Sequence, residues 1–170
     1  HDTHARVFKL AAATLSVIPA WCALALIHAS QPHGNRWLLV ALMIIWAADS
    51  GAYFAGRRFG RTRLSPRISP NKTVEGLVGG IVAGMIVALV AAPLANDAIT
   101  VKQLSYVAIV AIWTILFSVV GDLFESLLKR HVGAKDSGNL IPGHGGVLDR
   151  IDSVLAALPV FALGKLLFGF

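Results

Sequence analysis

The chain is short of charge and nearly free of cysteine, and each shortage excludes something. Of its 170 residues only 14% are charged while 56% are hydrophobic, and the mean hydropathy is +0.70. A soluble domain carries about a quarter of its residues as charges, so this composition excludes that class and predicts an integral membrane protein. The single cysteine, Cys22, lies in an apolar run, which rules out a disulfide framework or a cysteine-based metal site within one chain. G-x-x-x-x-G-K-[ST], H-E-x-x-H and G-x-S-x-G are also missing. Any nucleotide is therefore held without those soluble-protein motifs. No small-residue cleavage site and soluble domain follow the first apolar stretch, so it does not read as a signal peptide.

Five apolar segments are present, each about the 20 residues that a helix needs to cross the hydrocarbon core. They run from Val7 to Ile27, Trp37 to Gly56, Leu77 to Ala95, Leu104 to Gly121 and Val147 to Phe170. Pro19 is expected to kink the first, and the fourth is expected to continue as a helix through Lys129. The fold class expected is all-α: a polytopic helical bundle of about five transmembrane helices with two polar loops, forming one domain over 1–170. The net charge of +6 sits in loops between spans, which points to orientation and to anionic lipid or phosphate rather than nucleic acid. Arg57, Arg58, Arg61, Arg63, Arg67 and Lys72 crowd one loop, and Lys129, Arg130, Lys135 and Arg150 crowd the next but one. The positive-inside rule places both on the cytoplasmic side, with the N-terminus inside and the C-terminus outside. Asp49, Glu75, Asp122, Glu125, Asp136, Asp149 and Asp152 fall on or near that same side. Orientation alone does not ask for acids there, whereas a site does.

Asp122, Ser126 and Lys129 follow the fourth span at offsets that share one helix face. Asp149 and Asp152 share a face at the start of the fifth. Two carboxylates converging from adjacent helix ends suit Mg²⁺, which takes oxygen ligands and fills its remaining positions with water or phosphate. Helix-end solvation, with an aspartate capping the fifth helix, is the plainer alternative. The turn Pro142 to Gly146 places backbone N–H groups where an anion can approach. His144 within it reads equally as a phosphate donor, a metal ligand or a solvated loop residue. In S-P-N-K-T-V-E-G, Ser69 to Gly76, Asn71 or Thr73 caps a helix and Glu75 sits in its first turn. Lys72 there opposes the helix dipole, a conflict that a docked anion resolves. Asp49 lies inside the second span, so it faces the bundle interior or water, as a structural contact or as part of a site. Tyr53 and Gly56 share its stripe.

The run S-x-x-K-R-x-x-x-x-K-D-x-x-x-x-x-P-G-H-G-G-x-x-D-R-x-D, Ser126 to Asp152, closely resembles the signature of the phosphatidate cytidylyltransferases. D-S-G-A-Y at Asp49 and S-P-N-K-T-x-E-G around Asn71 resemble that family's motifs too, in the right order. The resemblance implies transfer of CMP from CTP to phosphatidate, giving CDP-diacylglycerol and pyrophosphate, in the cytoplasmic membrane of a bacterium with the site facing the cytoplasm. It implies Mg²⁺ held by Asp122 and Asp149, with Ser126, Lys129 and Asp152 as a polar cluster beside them. A K⁺ beside the Mg²⁺ and a homodimer are implied as well. Arg150, Lys135 and Asp136 join the catalytic set on this reading. Asn71, Lys72, Thr73, Asp49, Arg130, His144, Gly145 and Gly146 form the substrate-binding set. Family members usually have further N-terminal spans, so the chain is expected to be the C-terminal, catalytic part. A CDP-alcohol phosphotransferase is disfavoured because its D-x-x-x-D is absent. A transporter or channel for an anionic solute is the competing reading, since Asp49 and a basic vestibule serve it too. Inverted halves are not detectable, and the loops on the opposite side offer only Arg36 and Lys102.

Overall fold

The computed structural model describes the backbone of residues 2–30, 32–131 and 148–170, and the side chains of 11, 13–30, 32–130 and 151–170. Five helices account for nearly all of it: α1 (Asp2–Ala29), α2 (Gly34–Phe59), α3 (Val74–Ala95), α4 (Val101–His131) and α5 (Leu148–Phe168). The first four each contain one of the expected spans, and α5 lies within the fifth, expected from Val147 to Phe170. Among the described residues four helices are long and apolar enough to cross a bilayer, α2 to α5, and α1 contributes a shorter apolar stretch, Ala13–Ala29. Pro19 lies within a continuous α1. The protein is an integral membrane protein, and its surface agrees: Trp21, Trp46, Val82, Ile86, Trp113 and Leu166 are among many large apolar side chains left exposed. Patches of that extent on a water-soluble monomer would be unusual.

The helices bury one face each. Trp37, Ile44 and Ile45 of α2, Ile115 of α4, and Leu158 and Phe161 of α5 form the interior with Ile27 of α1. Thr114 and Ser118 are buried in α4 and donate back to the carbonyls of Val110 at 2.8 Å and Ile115 at 2.7 Å. Polar groups inside a bilayer must be satisfied within the protein, and these hydroxyls satisfy themselves within their own helix. At the start of α4, Thr100 and Gln103 exchange side-chain and backbone hydrogen bonds as a capping box.

Helix α2 packs closely against α3, and small residues are the reason. A Cβ added to Gly79 would lie 2.2 Å from Ala55 Cβ, and one added to Gly80 would lie 2.8 Å from the Ala48 carbonyl oxygen. Between α4 and α5 the same device recurs, with a Cβ on Gly121 falling 2.5 Å from Ala156 Cβ and 2.9 Å from Asp152 O. Lipid tails are as apolar as the side chains, so helix association here draws on close packing, which small residues permit.

One element was not expected. The loop after α2 is a short antiparallel hairpin, β1 (Arg63–Ser65) with β2 (Ser69–Thr73), pairing Arg63 with Thr73 and Ser65 with Ser69. Pro66 follows Ser65 in a turn closed by Ile68 N–H to Ser65 O at 3.2 Å, where a fixed proline φ is favourable. Glu75 accepts from the backbone N–H groups of Arg61 at 3.1 Å and Thr62 at 3.2 Å, tying the hairpin to the first turn of α3. Thr73 caps α3 by accepting from Gly76 N–H at 3.1 Å, one of the two caps the sequence offered.

Gly79→Val is expected to destabilise the bundle by roughly 1–3 kcal/mol, the usual cost of overpacking. Val82→Ala, on the exposed face of the same helix, is expected to be close to neutral. Thermal unfolding in detergent distinguishes the two, and equal midpoints would mean that the α2–α3 seam is not close-packed.

Candidate active site

A cavity of about 720 Å³ opens at the end of the bundle that carries the hairpin. That is within the range of small-molecule sites, roughly 300–1,000 Å³. Its lining comes from four helices and the hairpin: Asp49, Tyr53 and Arg57 of α2, Lys72 of β2, Gly76 and Leu77 of α3, Asp122 and Lys129 of α4, and Asp152 and Ser153 of α5. Asp49, Tyr53 and Arg57 recur every fourth residue, so one stripe of α2 faces the cavity, and Arg57 donates to the Tyr53 hydroxyl at 3.1 Å.

Charge is arranged in pairs. Lys72 Nζ lies 2.5 Å from Asp122 Oδ2, with both side chains only partly exposed. Lys129 Nζ is 3.6 Å from Glu125 Oε1, one turn back on α4, and Glu125 is buried. The Ser153 hydroxyl donates to Asp49 Oδ2 at 2.9 Å, joining α5 to α2, and its backbone N–H lies 2.8 Å from Asp152 Oδ1. Asp49 is within electrostatic reach of Asp122, Asp152 and Lys72. Three carboxylates from three helices and a lysine from the hairpin thus share one space.

The expected residues fall into three groups. Asp49, Asn71, Lys72, Thr73, Asp122, Lys129 and Asp152 line the cavity. Ser126 is half-buried on α4 and is not among the described lining residues. Arg130 turns to the hairpin, where its Nε donates to the Ile68 carbonyl. Lys135, Asp136, His144, Gly145 and Gly146 lie outside the described residues, as do the side chains of Asp149 and Arg150, whose backbone opens α5. Ser153, Ser69 and Arg57 were missed as cavity residues. Arg57 had a usable signal, since it continues the Asp49–Tyr53 stripe by one more turn. Ser153 had none, because its partner is 104 residues away.

Among the described residues no group of three His, Cys, Asp or Glu is placed to hold a metal ion. The donor chemistry nonetheless fits Mg²⁺: the cavity carboxylates offer hard oxygen ligands, few in number, with room for water or phosphate. Asp122 already holds a cation, the Lys72 ammonium.

Comparison with known proteins agrees with this architecture. Curated relatives include phosphatidate cytidylyltransferases from Pseudomonas aeruginosa, 42% identical over 91% of this chain and 56% of that one. Those from Haemophilus influenzae, 47% identical over 76% and 46%, and Thermotoga maritima, 45% identical over 77% and 50%, match as well. The chain spans about half the length of these relatives. A solved structure described as an intramembrane enzyme for archaeal membrane lipids biosynthesis superposes with a TM-score of 0.53 at 26% identity, covering 74% of this chain and 77% of that one. The sequence model described as the Cytidylyltransferase family matches residues 2–168, and the chain belongs to that family.

Proposed function

We propose that this cavity is where a cytidylyl group passes from CTP to the phosphate of phosphatidate, giving CDP-diacylglycerol and pyrophosphate. The observation that carries the reading is the Lys72–Asp122 pair, set in a cavity of about 720 Å³ beside Asp49, Asp152 and Lys129. Relatives that share most of this chain are named for the same reaction.

The reaction asks little of a general base. The second ionisation of a phosphate monoester has a pKa of about 6, so the lipid nucleophile is already anionic near neutral pH. Its oxygen bonds to the α-phosphorus of CTP while the α–β bridging bond breaks, and pyrophosphate leaves with the electron pair. The protein must place the two phosphates in line and neutralise charge as it builds up. Lys72, Lys129 and Arg57 supply cations in the cavity, and Asn71 and Thr73 supply polar groups on the same strand. Arg130 acts at a distance by holding the hairpin at Ile68. When Mg²⁺ is bound, Asp122 and Asp149 would hold it, and it would neutralise the polyphosphate. By loop charge the cavity faces the cytoplasm, and a homodimer is the expected assembly.

Purified protein in detergent is expected to release pyrophosphate only when CTP, phosphatidate and Mg²⁺ are all present. Release without phosphatidate would make it a nucleotide hydrolase, and CTP binding with no release in any mixture would favour transport. Lys72→Met and Asp122→Asn are each expected to lower turnover on the order of 10²-fold or more, the usual cost of losing a charge that stabilises a transition state. Turnover near wild type in either, from folded protein, would remove that residue from the chemistry.

A further inference from the structure

Ser153 is buried, 5% exposed, in a cavity wall that also carries Asp49, Lys72, Asp122, Lys129 and Asp152. A serine hydroxyl in that position must find a partner, and a buried one left unpaired is costly. The partner is not a carbonyl of its own helix, the choice made by Thr114 and Ser118. It is the carboxylate of Asp49, on a different helix, at 2.9 Å. The backbone N–H of the same residue lies 2.8 Å from Asp152 Oδ1. One residue therefore contacts two of the three described carboxylates that line the cavity, each through a different donor.

We propose that Ser153 is a positioning residue, holding the Asp49 and Asp152 carboxylates in a fixed mutual geometry across the α2–α5 boundary. Nothing in the local pattern demands a hydroxyl there, and alanine would suit an apolar helix better. Three carboxylates repel one another, with one lysine from the hairpin among them. A donor bound to one oxygen of Asp49 sets which way that carboxylate turns, and leaves its other oxygen for whatever cation or phosphate-bound group enters. Asp49 alone has rotational freedom on α2, and Ser153 removes it. Hydrogen bonds that orient ligating groups in this way are typically worth 10–100-fold in affinity or activity. The proposal rests on the reading that the cavity is the transfer site, but its geometry can be tested without turnover.

Ser153→Ala and Ser153→Thr separate orientation from packing, since threonine keeps the hydroxyl. In the turnover assay Ser153→Ala is expected to lower kcat about 10–100-fold with little change in the KM for CTP, and Ser153→Thr to recover most of it. Ser153→Ala on an Asp49→Asn background is expected to add little, because the two act as one unit. Additive losses, or equal losses in the alanine and threonine variants with lowered unfolding midpoints, would reduce Ser153 to packing. Mn²⁺ binding followed by electron paramagnetic resonance supplies the readout that needs no reaction. Asp49 stands within electrostatic reach of Asp122, the described residue that would hold the ion. Ser153→Ala is therefore expected to weaken Mn²⁺ binding about tenfold through the misplaced neighbour, and unchanged Mn²⁺ affinity would overturn the proposal. Wild-type protein that binds Mn²⁺ without turning over would overturn the reaction and leave the positioning role to that comparison. Wild-type protein that neither binds Mn²⁺ nor turns over would overturn both.

Discussion

Glycine and alanine along the α2–α3 seam set the distance on which the rest of the site depends. Ala48, Gly51, Ala52, Ala55 and Gly56 face Gly76, Gly79, Gly80 and Ala83, so the two backbones meet with almost no side chain between them. That approach brings the end of α2 level with the start of α3. The Asp49–Tyr53–Arg57 stripe then runs beside the strand that carries Asn71, Lys72 and Thr73. A larger residue on the seam would move that strand away from the stripe. In a bilayer, where no hydrophobic force favours helix association over lipid contact, such a seam holds by packing alone.

The charged groups divide into those that serve topology and those that serve the cavity. Arg58, Arg61, Arg63 and Arg67 are exposed, and the nearby carboxylate of Glu75 is committed to the backbone of Arg61 and Thr62. These arginines fit orientation and contact with anionic headgroups. Lys72 is different. It pairs with Asp122 where both side chains are partly sheltered, and sheltered ion pairs give stability poorly because desolvation offsets their attraction. Apolar residues would make a more stable wall. The pair is better explained by what the cavity has to bind than by what the fold requires.

The helices were legible in the sequence because bilayer thickness fixes how long an apolar run must be. Trp37 to Gly56 as expected became Gly34–Phe59 as observed, and Leu77 to Ala95 became Val74–Ala95; the polar ends extend these two helices by about a turn at most. The face shared by Asp122 and Lys129 was legible for the same reason, since helical periodicity acts within one element. Ser126 belonged to that expected stripe, yet it is not among the described lining residues. The hairpin was not legible. Its strands are three and five residues long, contain a proline and show no apolar alternation, so no periodic signal distinguishes them from a loop. Contacts between elements were equally silent: Lys72 with Asp122 and Ser153 with Asp49 follow from how helices cross, and a single sequence records no crossing.

Precision at such a site normally requires residues on rigid elements, and a lysine on a hairpin is a weak choice by that rule. The structure compensates by tying the hairpin at three places. Glu75 holds its entry, Arg130 holds its turn through Ile68, and Asp122 holds Lys72 itself. Two of these ties come from α4, the helix that Gly121 allows to lie against the Asp152 carbonyl of α5. The residue after that contact is Asp122. The crossing that brings α4 onto α5 therefore also fixes the carboxylate that anchors Lys72, and through Arg130 the turn of its strand. A hairpin held to the same helix as Asp122 keeps its cation in register with that carboxylate even if the helices shift slightly in the bilayer.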